Sequence, residues 1–260
     1  MLFTIDVGNS ETKLGVFRAN GPGTFGPLLR TWRVTTDRRR TADEYGIVFA
    51  QLLAIAGLDA GTIKSIVISS VVPFLDLTLT EACSAYFDRE PTFFKTAQQR
   101  LIEVRTERPT EVGTDMVVAA LGGRDTYGAP LIVIHYGTAS TFTAISAEGA
   151  LLGTAIAPGI QISIEALAGR TAKLPQIRLE APPSAIGRET VGSLQSGVVF
   201  GFVGQTEGLV ARIRQELGAE AKVIATGGLA EVVASQTRCV DAVHPYLTLE
   251  GLRIFAESLL

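Results

Sequence analysis

Two stretches of the chain follow one plan. IDVGNSETKLGVF begins at Ile5 and IHYGTASTFTAI at Ile134; each runs an apolar strand into a polar tip, a glycine, hydroxyl-bearing residues and a returning apolar strand. A short apolar run broken by a glycine turn predicts a strand and its antiparallel partner. The two stretches share little identity, so the duplication is one of structure. With 260 residues, the length fits one large domain or two intimate ones. Two such hairpins facing each other make a cleft, and clefts between similar halves are usual ligand sites.

The remaining elements follow from pattern. Strands are predicted over 1–7, 12–18 and 28–35. Thr41 or Asp43 can cap a helix over about 43–57, with Tyr45, Val48, Phe49, Leu52 and Leu53 as its apolar stripe. A strand over 64–70, stopped by Pro73, a helix near 75–87 and a short strand near 91–95 complete the first half. The second half predicts a helix over 113–127, strands over 131–136, 140–146 and 150–157, and a helix over 159–169 after the Pro158-Gly159 corner. A long helix over 190–217, a strand over 222–226 running into Gly227-Gly228, and a closing helix over 248–259 follow.

Composition removes several function classes. Net charge is −3, with 47% hydrophobic and 19% charged residues. That balance gives no electrostatic reason to expect nucleic acid or an anionic membrane as partner. Arg38-Arg39-Arg40 is the one basic cluster; Asp43 and Glu44 follow it, and it reads as a solvated loop or helix start. Cys83 and Cys239 lie far apart with no CxxC, so neither a metal cage nor a disulfide framework is expected, and both read as buried small hydrophobes. The N-terminus lacks the basic stretch of a signal peptide, and no run reaches the ~18 apolar residues of a membrane span. A cytoplasmic location is the expectation.

Three short motifs carry candidate chemistry. In Asp6-Val7-Gly8-Asn9-Ser10, Gly8 permits a tight turn and close approach of a phosphate, Asn9 and Ser10 supply donors, and Lys13 adds positive charge. Asp6 at the strand end can hold Mg²⁺, which takes oxygen ligands. The same residues also serve a plain hairpin with an Asx-type turn. Gly137-Thr138-Ala139-Ser140 is a second candidate phosphate loop in the matching place. Thr226-Gly227-Gly228 allows a flat ligand such as adenine to approach the backbone, or simply turns a strand into a helix. Together the three favour a nucleotide site over coincident turns. Asp115, in EVGTDM, is either a cap in a first helical turn or a general base that takes a proton from a hydroxyl attacking a γ-phosphate. Neither His135 nor His244 has a metal-ligand neighbour at a useful spacing.

DVGNS…KLG, PTEVGTDMVVAA, GTASTF, AIAPGI, ALAGRTAKLP, IGRETVGSLQSG, ATGG and LTLEGLRI occur in the order seen in type III pantothenate kinases. The chain resembles that family from Asp6 to about Leu252. The resemblance implies an α/β fold of the acetate and sugar kinase/Hsc70/actin-like type: two similar domains, here 1–112 and 113–260, with mixed sheets flanked by helices. It implies ATP-dependent phosphorylation of pantothenate, the first step of coenzyme A biosynthesis, by a homodimer using Mg²⁺ and a monovalent cation, K⁺ or NH₄⁺. The ATP loop matches Asp6, Val7, Gly8, Asn9, Ser10, Glu11, Thr12 and Lys13, with Asp6 the metal-associated aspartate. Gly137 and Thr138 match the second phosphate loop, and Gly227 and Gly228 the adenine side. Asp115 matches the general base, within a substrate-binding set of Thr106, Gly113, Thr114, Asp115, Met116 and Thr190.

The departures cluster around substrate and cation. Family members carry an aspartate that binds the monovalent cation where this chain has His135. A neutral imidazole is a poor K⁺ ligand and a charged one repels the ion, so either an imidazolium supplies the charge itself or the cation site is lost. Met116 replaces an arginine and with it a fixed donor fork; Thr106 replaces a tyrosine, and Arg108 stands where asparagine is common. Three outcomes follow: a pantothenate kinase with altered cation and substrate sites, a catalytically impaired nucleotide-binding paralogue with a regulatory role, or a kinase for another small hydroxylated substrate.

Overall fold

The computed structural model describes residues 1–170, 175 and 177–260; residues 171–174 of the ALAGRTAKLP motif lie outside the described residues. In chain order the elements are β1 (Leu2–Val7), β2 (Glu11–Ala19), β3 (Phe25–Thr35), α1 (Ala42–Ile55), β4 (Ser65–Ser70), α2 (Asp76–Phe87) and β5 (Thr92–Phe93). Then come α3 (Thr114–Tyr127), β6 (Leu131–Tyr136), β7 (Ala139–Ile145), β8 (Leu151–Pro158), α4 (Ile160–Arg170) and α5 (Thr190–Leu217). β9 (Lys222–Thr226), α6 (Ala230–Ala234), β10 (Ala242–Val243) and α7 (Leu247–Glu257) complete the chain. The predicted strands and helices stand within a few residues of their expected ends. The short α6 and β10 are additions, too brief to show a period. Thr41, not Asp43, caps α1: its hydroxyl accepts the Glu44 N–H while the Glu44 carboxylate takes the Thr41 N–H at 2.8 Å.

The chain divides into two compact units. The first comprises residues 1–102, 108–122 and 248–260; the second, 103–107 and 123–247. Each holds one five-stranded sheet, and the strand orders correspond: β3-β2-β1-β4-β5 in the first and β8-β7-β6-β9-β10 in the second. In both, an antiparallel meander of three strands continues through parallel partners. The duplication read from the two hairpins therefore extends to the whole sheet.

β1 and β6 are the central strands, covered on both faces, which is why LFTIDV and LIVIHY lack alternation. β8, at an edge, alternates exposed and half-buried positions after the buried Leu151. On one face of the first sheet, Phe3, Ile5, Leu14 and Val16 pack with Tyr45, Phe49 and Leu53 of α1 and Leu79, Ala82 and Cys83 of α2. Cys83 is buried and its thiol is pushed up to about 12 by desolvation, as expected of an inert core thiol. Cys239 differs from expectation in being only half-buried, at the margin of the second core. That core joins Ile132, Ile134, Tyr136 and Phe142 to Val198, Val203 and Val210 of the long α5. Among the described residues no helix is long and apolar enough to cross a membrane.

Candidate functional site

In the first unit, three strands bring three polar residues into one row. Asp6 of β1 stands opposite Lys13 of β2 and opposite Ser69 of β4; cross-strand partners share a sheet face. Asp6 is 4% exposed, and its Oδ1 is buried without a hydrogen-bond partner among the described residues. A buried carboxylate oxygen in that state calls for a cation or a strong donor. The β1–β2 turn is closed by the Gly8 N–H donating to the Glu11 carbonyl at 3.0 Å, which leaves Asn9, Ser10 and Glu11 exposed at its tip while Thr12 is buried.

The start of α3 is fastened to the end of β4. The Thr114 hydroxyl donates to the Ser70 carbonyl at 3.1 Å and accepts from the Ser69 hydroxyl at 3.3 Å. This places Asp115 beside Asp6 and Lys13. The Asp115 carboxyl is raised to about 6, first by burial and then by the negative charge of Asp6; the Met116 N–H and Lys13 oppose the rise. The Met116 N–H reaches Asp115 Oδ1 at 2.9 Å. A carboxylate held near neutrality beside a second acid and a lysine is poised to accept a proton from an alcohol. The sequence left open whether Asp115 is a cap or a base; it lies within the first turn of α3, where the Gly113 carbonyl accepts the Met116 and Val117 N–H groups, so it is not the residue that caps the helix. Arg108 is exposed and paired with Glu111 at 3.0 Å.

The second unit has its own constellation, at the ends of β6 and β9. His135 stands opposite Thr141 and Thr226. Its ring lies between two glycine turns. A Cβ on Gly137 would be 3.4 Å from His135 Nε2, and one on Gly227 would be 2.9 Å from His135 Cδ2 and would collide with the Tyr136 carbonyl. Gly227 also has φ +101°, a conformation L side chains avoid. Gly159, which begins the turn into α4, packs against the same loop: a Cβ there would collide with Thr138 O and lie 2.5 Å from Gly137 O. Beneath the loop, the Tyr136 and Thr206 hydroxyls meet at 2.6 Å, while Ser140 Oγ and Thr226 Oγ1 are buried without a partner among the described residues. Gly228 is exposed beside this turn.

Two further sequence-derived candidates belong to the second unit. Thr106 belongs to the 103–107 segment that pairs with Leu151, and its hydroxyl is buried without a partner among the described residues. Thr190 opens α5 and is exposed; Glu189 caps that helix through the Val191 and Gly192 N–H groups. Ser69, Ser70 and Gly159 were not singled out from sequence, although the paired serines ending KSIVISS and the glycine at the Pro158 corner were visible there. The backbone N–H of His244 donates to the Ala225 carbonyl and its ring meets Tyr127 edge-on, while its Nδ1 is buried without a hydrogen-bond partner among the described residues.

Two cations bear on these residues. Mg²⁺ fits Asp6, since it commonly takes one or two protein carboxylates and completes its shell with water and phosphate. At His135 the side chain offers an imidazole, a poor ligand for K⁺, where a carboxylate would supply oxygen; the Tyr136 carbonyl lies against the same Gly227 turn as the ring.

The chain matches the family model for type III pantothenate kinase over residues 2–212. It is 47% identical over 258 residues to the type III pantothenate kinase of Anaeromyxobacter dehalogenans (strain 2CP-C), covering 99% of each chain. To that of Moorella thermoacetica it is 45% identical over 257 residues, again covering 99% of each. Among solved structures it is similar to a Sinorhizobium meliloti protein described as a 2-dehydro-3-deoxygalactonokinase, with TM-score 0.59 and 13% identity over 99% of this chain and 96% of that one. That last likeness concerns the fold alone.

Proposed function

The chain belongs to the type III pantothenate kinase family, and from that membership we propose that its ATP-dependent phosphorylation of pantothenate uses Asp115 as general base. The fold is of the actin and sugar kinase type. The observation that carries the assignment is the Asp115 carboxyl, raised to about 6 beside Asp6 and Lys13. The pantothenate hydroxyl oxygen attacks the γ-phosphorus, the bond to the β–γ bridging oxygen breaks, and Asp115 takes the hydroxyl proton. Phosphopantothenate and ADP are the products. Phosphoryl transfer asks the protein mainly for positioning and charge. Gly8, Asn9, Ser10 and Lys13 supply donors and positive charge to the phosphates, within the loop from Asp6 to Lys13 that also carries Val7, Glu11 and Thr12. Asp6 would hold Mg²⁺, which would supply charge neutralisation at the phosphates.

In the second unit, Gly137 and Thr138 form the other phosphate loop, and Gly227 and Gly228 leave their backbone open to adenine. Gly113, Thr114 and Met116 around the base, with Thr106 and Thr190, are the residues assigned to pantothenate. Met116 brings no charge to the substrate carboxylate, so weak pantothenate binding is part of the reading. The enzyme works without a monovalent cation, because His135 offers K⁺ no oxygen. It acts in the cytoplasm as a homodimer, as family membership suggests.

The test is pantothenate-dependent ADP formation with ATP and Mg²⁺, with and without K⁺. The wild type is expected to turn over equally in both. Asp115→Asn is expected to lose about 10²- to 10⁴-fold in kcat while still binding ATP. His135→Asp, which restores a carboxylate, is expected to gain a K⁺ response. Turnover retained in Asp115→Asn would remove the base assignment, and a wild type that depends on K⁺ would remove the cation reading.

A further inference from the structure

We infer that Arg38 is a phosphate-binding residue of the first unit, held over the β1–β2 turn by the loop between β3 and α1. In sequence, Arg38-Arg39-Arg40 has the look of a solvated basic run. Structure separates the three. Arg39 is committed to Asp37, whose carboxylate accepts from its backbone N–H at 2.9 Å and from its guanidinium at 3.2 Å. Arg40 lies over the Tyr45 ring, 5.6 Å from the centroid. Arg38 alone reaches the turn, where its Nη2 donates to Asn9 Oδ1 at 3.4 Å.

The loop that carries Arg38 is built onto that turn. The Thr36 N–H donates to the Ser10 carbonyl at 3.0 Å, and the Thr36 and Thr12 hydroxyls meet at 2.8 Å. On its other side the loop is pinned by Tyr45, whose hydroxyl donates to the Asp37 carbonyl at 3.0 Å and accepts the Asp37 N–H at 3.1 Å. Both ends of the Thr36–Asp37 step are therefore tied down just before Arg38. The contact also orients Asn9. With Oδ1 turned toward a guanidinium, the Nδ2 end of the amide carries its donors away from Arg38. The turn then presents donors and an exposed cation together, the combination that recognises a polyphosphate.

This inference rests on the Asp6–Lys13 hairpin being an ATP phosphate loop. The experiment therefore measures equilibrium binding of ATP and of AMP, each with Mg²⁺, to wild type, Arg38→Ala, Arg38→Lys and Arg39→Ala. Wild type is expected to prefer ATP. Arg38→Ala is expected to lose about ten- to a hundredfold for ATP with AMP unchanged, and Arg38→Lys to lose less because the charge remains. Arg39→Ala, whose side chain points to Asp37, is expected to behave as wild type. A wild type that binds ATP no better than AMP defeats the phosphate-loop reading itself. A wild-type preference that survives in Arg38→Ala, or a loss equal for both nucleotides, overturns the role of Arg38 alone.

Discussion

Asp115, the proposed base, is destabilising in its ionised form. Its carboxyl is raised from 3.8 to about 6 in the folded chain, by burial first and by Asp6 second. The folded state therefore binds the proton more tightly than the unfolded chain. Its contribution favours folding below about pH 4, weakens as pH rises from there to about 6, and remains a penalty above. At ~1.36 kcal/mol per unit, discounted for residual exposure, the penalty is about 1–3 kcal/mol at neutral pH. Asp115→Asn should thus be more stable than wild type at pH 7.5 and nearly equal at pH 4 in urea titrations. Turnover should rise with pH through about 6 and level off, as the base loses its proton. An Asn variant that is less stable at pH 7.5 would show that the carboxylate holds the fold rather than burdening it. The presence of the acid was legible in EVGTDM, but its partners were not, because Asp6 and Lys13 lie more than a hundred residues earlier in the chain.

At the scale of elements, the loops are shaped by close backbone approach. Gly159 touches the carbonyls of Gly137 and Thr138 so closely that a Cβ has no room. In Gly159→Ala the Gly137–Thr138 loop, the proposed phosphate loop, or the start of α4 must move. We expect a stability loss of about 1–3 kcal/mol and a several-fold rise in KM for ATP. Gly153→Ala is the control, because a Cβ there meets nothing within 4 Å. Unchanged denaturant midpoints and KM in Gly159→Ala would mean that the loop yields freely and is not braced. The strand and helix spans themselves were readable, since burial imposes its period on any element several residues long. The bracing was not, because no local pattern records which carbonyl a glycine will meet.

At the scale of the molecule, two sheets of corresponding order answer to two hairpins of corresponding sequence. The first unit is discontinuous: residues 108–122 and the C-terminal 248–260 pack with the first 102 residues. Gly15 meets Leu249, and the Val118 carbonyl meets Gly251, within this unit. The proposed homodimer predicts a sedimentation mass near twice the 27.6 kDa of one chain at micromolar concentration. A species of single-chain mass there would withdraw the dimer.

The sequence by itself determined the duplicated hairpin, the spans of most elements and the family. Each of these is written in local order: apolar period, glycine punctuation, a cap, a motif. Tertiary structure alone decided that Asp6, Lys13, Ser69 and Asp115 form one group, that the His135 ring sits between Gly137 and Gly227, and that Arg38 leaves its neighbours to lie over the turn. The physical reason is the same in every case. Sheet register and loop anchoring juxtapose residues far apart in the chain, and a carboxyl or guanidinium takes its chemistry from what it is placed beside.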